Sequence, residues 1–105
     1  RRRGDGEPDA GTAREARRLV SRRIVLTRTA RRQLAEELPE PVAAAAWELI
    51  QGDLRIKPQI AGKPLLDPYA GEWSARRGTY RIRYRFDDKT VTVLHIRPRS
   101  TAYHM

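Results

Sequence analysis

No cysteine occurs among the 105 residues. That excludes disulfides and thiolate zinc sites, and it suits a reducing cytosol. No apolar run approaches transmembrane length, and residues 1–22 have no apolar centre of the signal-peptide kind. A cytoplasmic location without membrane contact is therefore the expectation. Histidine is scarce as well, with only His95 and His104, and no His/Asp/Glu cluster has metal-ligand spacing, so no metal is expected. No Ser/His/Asp arrangement is recognisable. The Gly62-Lys63-Pro64-Leu65 stretch lacks the spacing of a phosphate-binding loop, since Pro follows the lysine. No cofactor is expected. Acidic residues are the minority charge, 13 against 22 Lys+Arg, for a net +9.

The surplus is uneven. Residues 1–32 hold 11 basic and 4 acidic side chains, residues 33–75 hold 3 and 7, and residues 76–105 hold 8 and 2. Both ends are basic and the middle is acidic, which a uniformly basic ribosomal-type protein would not need. A chain of this length predicts one domain with a modest core.

Strict alternation sets Tyr80, Ile82, Tyr84 and Phe86 against Arg81, Arg83 and Arg85. Period two is the strand signature, because successive side chains point to opposite faces of a pleated backbone. Asp87-Asp88-Lys89 predicts a hairpin turn into Thr90–Arg97, and Gly78 marks an earlier bend after Trp73–Arg77. One face of the resulting strands buries apolar groups, and the other carries guanidinium groups side by side. Such packing is repulsive and calls for a polyanion, and arginine suits phosphate. Register decides what stands beside Arg81. A three-residue loop pairs Phe86 with Thr90 and puts His95, Val91 and Val93 on the arginine face. A two-residue loop moves His95 to the side of Tyr80 and Ile82.

Upstream, residues 1–21 read as a basic extension, disordered or briefly helical after the capping-box pattern Thr12-x-x-Glu15, and residues 22–105 as the folded domain. Ile24-Val25-Leu26 predicts a first strand. Thr29 is read as the N-cap of a helix through Ala30, Leu34 and Leu38, broken by Pro39-Glu40-Pro41. A second helix is predicted from Val42 to about Gln51 with Gly52 as its C′ residue, and Trp47 as a core or partner-facing anchor. Lys57–Ala70, rich in Pro and Gly, reads as loop. The order β-α-α-β-β-β predicts an α+β fold, two N-terminal helices packed on a four-stranded, mainly antiparallel sheet.

Trp73-Ser74-Ala75-Arg76-Arg77-Gly78-Thr79-Tyr80-Arg81, the alternating strand, the acidic turn, Val93-Leu94-His95-Ile96 and a closing Arg99 and Tyr103 together resemble the RelE/ParE toxin superfamily. The similarity is closer to the RelE branch of actinobacterial toxin–antitoxin pairs and spans about residues 22–104. The resemblance implies a metal-independent endoribonuclease that cuts mRNA on the ribosome and inhibits translation. A 2′-hydroxyl would attack the adjacent phosphate to leave a cyclic phosphate. It implies two partners, ribosome-bound mRNA and a RelB-like antitoxin. Carried over by position, Arg81 matches the phosphate-clamping arginine and Arg99 the proposed acid or charge stabiliser. Tyr103 matches the base-stacking tyrosine, and Arg76 a basic position on the preceding strand. Ser74 departs from the pattern, where many active members carry Lys or Arg. His95 is the further catalytic candidate, because an unperturbed histidine titrates near neutrality. Arg77, Arg83, Arg85, Arg97 and Lys63 are the expected RNA contacts. Two other readings stand beside this one: a gyrase-directed toxin of the ParE branch, and an inactive relative that binds RNA or antitoxin.

Overall fold

The computed structural model describes residues 22–98. Five strands form one mixed sheet in the order β1-β5-β4-β3-β2, with helices on one face. The strands are β1 Arg23–Leu26, β2 Lys63–Pro64, β3 Trp73–Arg77, β4 Tyr80–Phe86 and β5 Thr90–Pro98. The α+β class is as expected. The strand count is one higher than expected, and the first strand runs parallel to the last.

Thr27 both ends β1 and starts the first helix. Its hydroxyl accepts from Ala30 N–H at 3.1 Å and donates to the Leu94 carbonyl at 2.7 Å. The cap is thus Thr27 rather than Thr29, because only Thr27 has the extended backbone a cap requires (φ −67°, ψ 166°). Helix α1 (Arg28–Arg32) widens into a π turn over Gln33–Glu37 and stops at Leu38. Helix α2 (Glu40–Leu49) begins after Pro39 and continues through a second π turn, Ile50–Leu54. Gly52 therefore sits within helical backbone instead of ending it. Burial of Ile50 and Leu54 against the sheet outweighs the modest cost of an internal glycine.

Lys57–Ala70 is more ordered than its composition suggests. Pro58 opens a short helix, α3 (Pro58–Ala61), where a missing N–H costs nothing. Pro64 then sits on the sheet's edge strand, where a missing ladder donor is tolerated. The segment is held from beneath by Tyr84, whose buried hydroxyl donates to the Pro58 carbonyl at 2.7 Å. Burial pushes that phenol up to about 12.

The core lies between helices and sheet, built from Ala30, Ala46, Leu49, Ile50, Leu54, Ala75, Ile82, Tyr84, Val91, Val93 and Ile96. Trp73 and Phe86 pack at 5.1 Å between ring centroids, with Tyr84 beside them. At the hairpin, the Asp87 carboxylate accepts from Lys89 and Thr90 N–H, each at 2.8 Å. Those bonds hold its pKa below the usual carboxylate value.

The register matches neither loop considered from the sequence. Phe86 pairs with Val91, so Val91 and Val93 face the core. A β-bulge follows: Tyr84 pairs with Val93 but Arg83 pairs with His95, leaving Leu94 as the extra residue. One added residue reverses the alternation and returns His95 to the arginine face. The bulge is fixed by the Thr27 contact to Leu94, and beyond β1 the Gln33 side chain accepts from Ile96 N–H at 2.7 Å.

Candidate functional site

Strand register assembles the site from four strands. Across β3, β4 and β5, Arg76 pairs with Arg81 and Arg81 with Arg97. The adjacent row runs Lys63–Ser74–Arg83–His95 across four strands. Arg85 continues the same face opposite Thr92. Directly opposed residues in a sheet bring their Cβ atoms to about 4.5–5.5 Å, where like charges repel. A row of three guanidinium groups is therefore unfavourable for the protein alone. Arg76, Arg81, Arg85 and Arg97 form no ion pair with another described residue.

An open cleft of about 620 Å³ lies over one part of this face, lined by Lys63, Ser74, Arg76 and Arg81 together with Ala61, Gly62, Pro64 and Leu65. Its polar side chains are three cations and one hydroxyl. That arrangement can seat a phosphodiester, with guanidinium donors for its non-bridging oxygens.

Arg83 is differently placed. Its guanidinium donates to the Glu72 carboxylate at 2.9 Å and lies 4.9 Å from the centre of the Tyr69 ring. Arg77 occupies the opposite face of the sheet, where it pairs with Glu48 of α2. It does not join the other expected RNA contacts. His95 is half-buried on the arginine face but does not line the cleft. Burial, then the nearby Arg97 and Arg83, lower its pKa, with Glu72 opposing. Its Nδ1 is buried without a hydrogen-bond partner among the described residues. Arg99, Tyr103 and His104 lie outside the described residues, as does the N-terminal extension.

Three contributors escape a reading of the strands alone. Glu72 and Tyr69 come from the loop before β3 and hold Arg83. Gly62 fits where a side chain would not: a Cβ there would stand 2.5 Å from both the Ser74 carbonyl oxygen and the Tyr84 hydroxyl. The Gly-Lys-Pro-Leu stretch was the available signal for Gly62. Glu72 and Tyr69 left none.

Comparison with known proteins gives the family and the fold. A family model described as the ParE toxin of the type II toxin–antitoxin system parDE matches residues 24–103. Toxin RelG of Mycobacterium tuberculosis is 49% identical over 74 residues, 70% of this chain and 84% of that protein. Toxin RelE of the same organism is 44% identical over 84 residues, 78% and 86% of the two chains. The crystal structure of the M. tuberculosis toxin–antitoxin complex RelBE2 contains a chain that superposes with a TM-score of 0.71 at 44% identity, covering 78% of this chain and 95% of its own. The YoeB/ParE toxin from Agrobacterium tumefaciens shares the fold, with a TM-score of 0.61 at 21% identity over 72% and 96% of the two chains.

Proposed function

Since the chain belongs to the RelE/ParE toxin superfamily of type II toxin–antitoxin systems, we propose that it is the toxin that cleaves mRNA on the ribosome and so inhibits translation. The observation that carries this reading is the Arg76–Arg81–Arg97 row, whose charge no described residue neutralises and two of whose members, Arg76 and Arg81, line the open cleft. A 2′-hydroxyl attacks the adjacent phosphorus, a cyclic phosphate forms, and the 5′-oxygen leaves. Negative charge that builds on the phosphoryl oxygens is met by guanidinium groups already in place, which is where most of the rate gain of such a site comes from. Arg81 and Arg76 hold those oxygens. Arg97, Arg85 and Lys63 guide the flanking backbone, and Arg99 and Tyr103 contribute charge and base stacking from the C-terminal segment.

The same uncompensated face defines the partner. An antitoxin with an acidic segment covers it or wraps the helix pair and so relieves the repulsion; the RelBE2 relative was itself solved as a toxin–antitoxin complex. A gyrase-directed toxin is the second reading, favoured by the description of the matched family model and by Ser74 in place of a basic residue. Primer extension on translating ribosomes decides between them. Cleavage by the wild type that fails in Arg81→Ala supports the nuclease. Absence of cleavage with inhibition of gyrase supports the alternative.

A further inference from the structure

We propose that Tyr69 is a stacking platform for a base of the mRNA beside the cut, an inference that rests on the endoribonuclease reading above and names a further grip on the same substrate.

Tyr69 belongs to the short loop between β2 and β3. The loop is closed at its base by the Leu65 N–H, which donates to the Glu72 carbonyl at 2.9 Å. Within it, the Tyr69 N–H donates to the Leu66 carbonyl at 2.8 Å and the Glu72 N–H to the Tyr69 carbonyl at 3.0 Å. Leu65 lines the cationic cleft, so the loop rises from the wall of that cleft. The Arg83 guanidinium stands 4.9 Å from the centre of the Tyr69 ring and is itself held by the Glu72 carboxylate at 2.9 Å. Arg83 is directly opposite Ser74, another residue of the cleft. Arg81 and Arg76, which hold the phosphate, lie two residues further along β4 and β3, a step of about 7 Å. The ring is therefore a neighbour of the phosphate site and not part of it.

The exposure of the ring is what sets it apart from a tyrosine that only shields an ion pair. The Arg83 and Glu72 side chains are mostly covered, whereas Tyr69 itself remains 51% exposed. A residue placed there for stability alone would gain by burying more of its apolar surface. Instead, an aromatic ring backed by a fixed guanidinium group stands open on a surface dominated by arginine. Single-stranded nucleic acid is held by that combination, cations following the phosphates and rings stacking the bases. The turn and Arg83 already fix the ring, so little freedom is lost when a base settles on it. Tyr69 takes no part in making or breaking bonds. A base held on the ring fixes its ribose and helps to keep the 2′-hydroxyl in line with the phosphorus. Tyr103, acting from the C-terminal segment, would stack a different base.

The test is single-turnover cleavage of synthetic mRNA on programmed ribosomes by wild type, Tyr69→Ala and Tyr69→Phe. Each protein is given intact RNA and RNA made abasic at the nucleotide on one side of the cut or on the other. On intact RNA, Tyr69→Ala should lose about 5- to 150-fold, the worth of one base–aromatic stack. Tyr69→Phe should keep the wild-type rate, because the ring and not the hydroxyl makes the stack. Removing the base at one of the two positions should cost wild type a similar factor and cost Tyr69→Ala nothing more. An undiminished Tyr69→Ala overturns the proposal, as does a Tyr69→Phe that is equally impaired. Losses from Tyr69→Ala and from the missing base that multiply at both positions overturn it too, since the ring would then act through the fold. The abasic substrates probe the unaltered protein, so a wild type indifferent to both of them overturns the proposal whatever the stability of Tyr69→Ala. Wild-type cleavage by Tyr69→Ala with weakened binding of the antitoxin assigns the ring to that partner and overturns it likewise. A wild type that leaves intact RNA uncut overturns the endoribonuclease reading together with this one.

Discussion

Arg81 and Arg83 sit two residues apart on one strand and on one face, and their surroundings divide them. Arg83 has a carboxylate partner 2.9 Å away and an aromatic ring beneath it. Arg81 lies between two other arginines in register, beside an open cleft, and pairs with no described acid. One guanidinium group is part of the architecture, and the other has electrostatic demand left over. A run of like charges on a strand can thus mix neutralised and uncompensated members, and the loop that packs on it decides which is which.

The sharpest test of that contrast is Arg81→Ala. It should lower single-turnover cleavage about 100- to 10,000-fold, the range for loss of a charge-stabilising donor, with little change in unfolding midpoint. Equal loss of cleavage in Arg83→Ala at unchanged stability would erase the distinction. Gly62→Ala comes next. Its methyl group meets the Ser74 backbone and the Tyr84 hydroxyl, so overpacking should cost about 1–3 kcal/mol in urea unfolding, with reduced cleavage as β2 shifts. Arg83→Ala itself should cost about 1 kcal/mol of stability, because both a partly buried ion pair and a cation–π contact disappear. Its cleavage rate should fall far less than that of Arg81→Ala.

The smallest effect belongs to His95. Burial and the neighbouring Arg97 and Arg83 hold its folded pKa below the unfolded value, and Glu72 offsets them only partly. Above the unfolded pKa of about 6.5 both states are neutral there and stability is unaffected. As pH falls below that, the unfolded chain binds a proton that the fold resists, and stability declines. Urea unfolding of wild type and His95→Gln at pH 7.5 and 5.5 checks this. The variant should lose less stability on acidification, and an equal loss would place the pH sensitivity elsewhere.

The alternating strand, the acidic turn and the helix-on-sheet class were legible because each is a short-range pattern. The parity of His95 was not. It depends on one extra residue, Leu94, whose bulge is stabilised by a threonine 67 positions away. Gly52 read as a stop because propensity favours one, and burial of Ile50 and Leu54 overrode it. The prolines and glycines of Lys57–Ala70 read as loop for the same local reason. Their ordering comes from Tyr84 and from pairing with β3. The place of Arg81 on the basic face could be read from the alternation. The neutralisation of Arg83 could not, since Glu72 and Tyr69 reach it only in the folded chain.

The pairing of β1 with β5 has a consequence for the order of events during synthesis. The first strand of the fold waits for the last, which inserts between β1 and β4. A chain emerging from the ribosome N-terminus first cannot complete this sheet until Thr90–Pro98 has been made. Until then Arg81 has no Arg97 opposite it, and Thr27 has no Leu94 carbonyl to receive its hydroxyl. Pairings of such long sequence separation are slow to form. The basic face is therefore assembled late, and a growing chain carries its arginines as scattered charges before it carries them as a site.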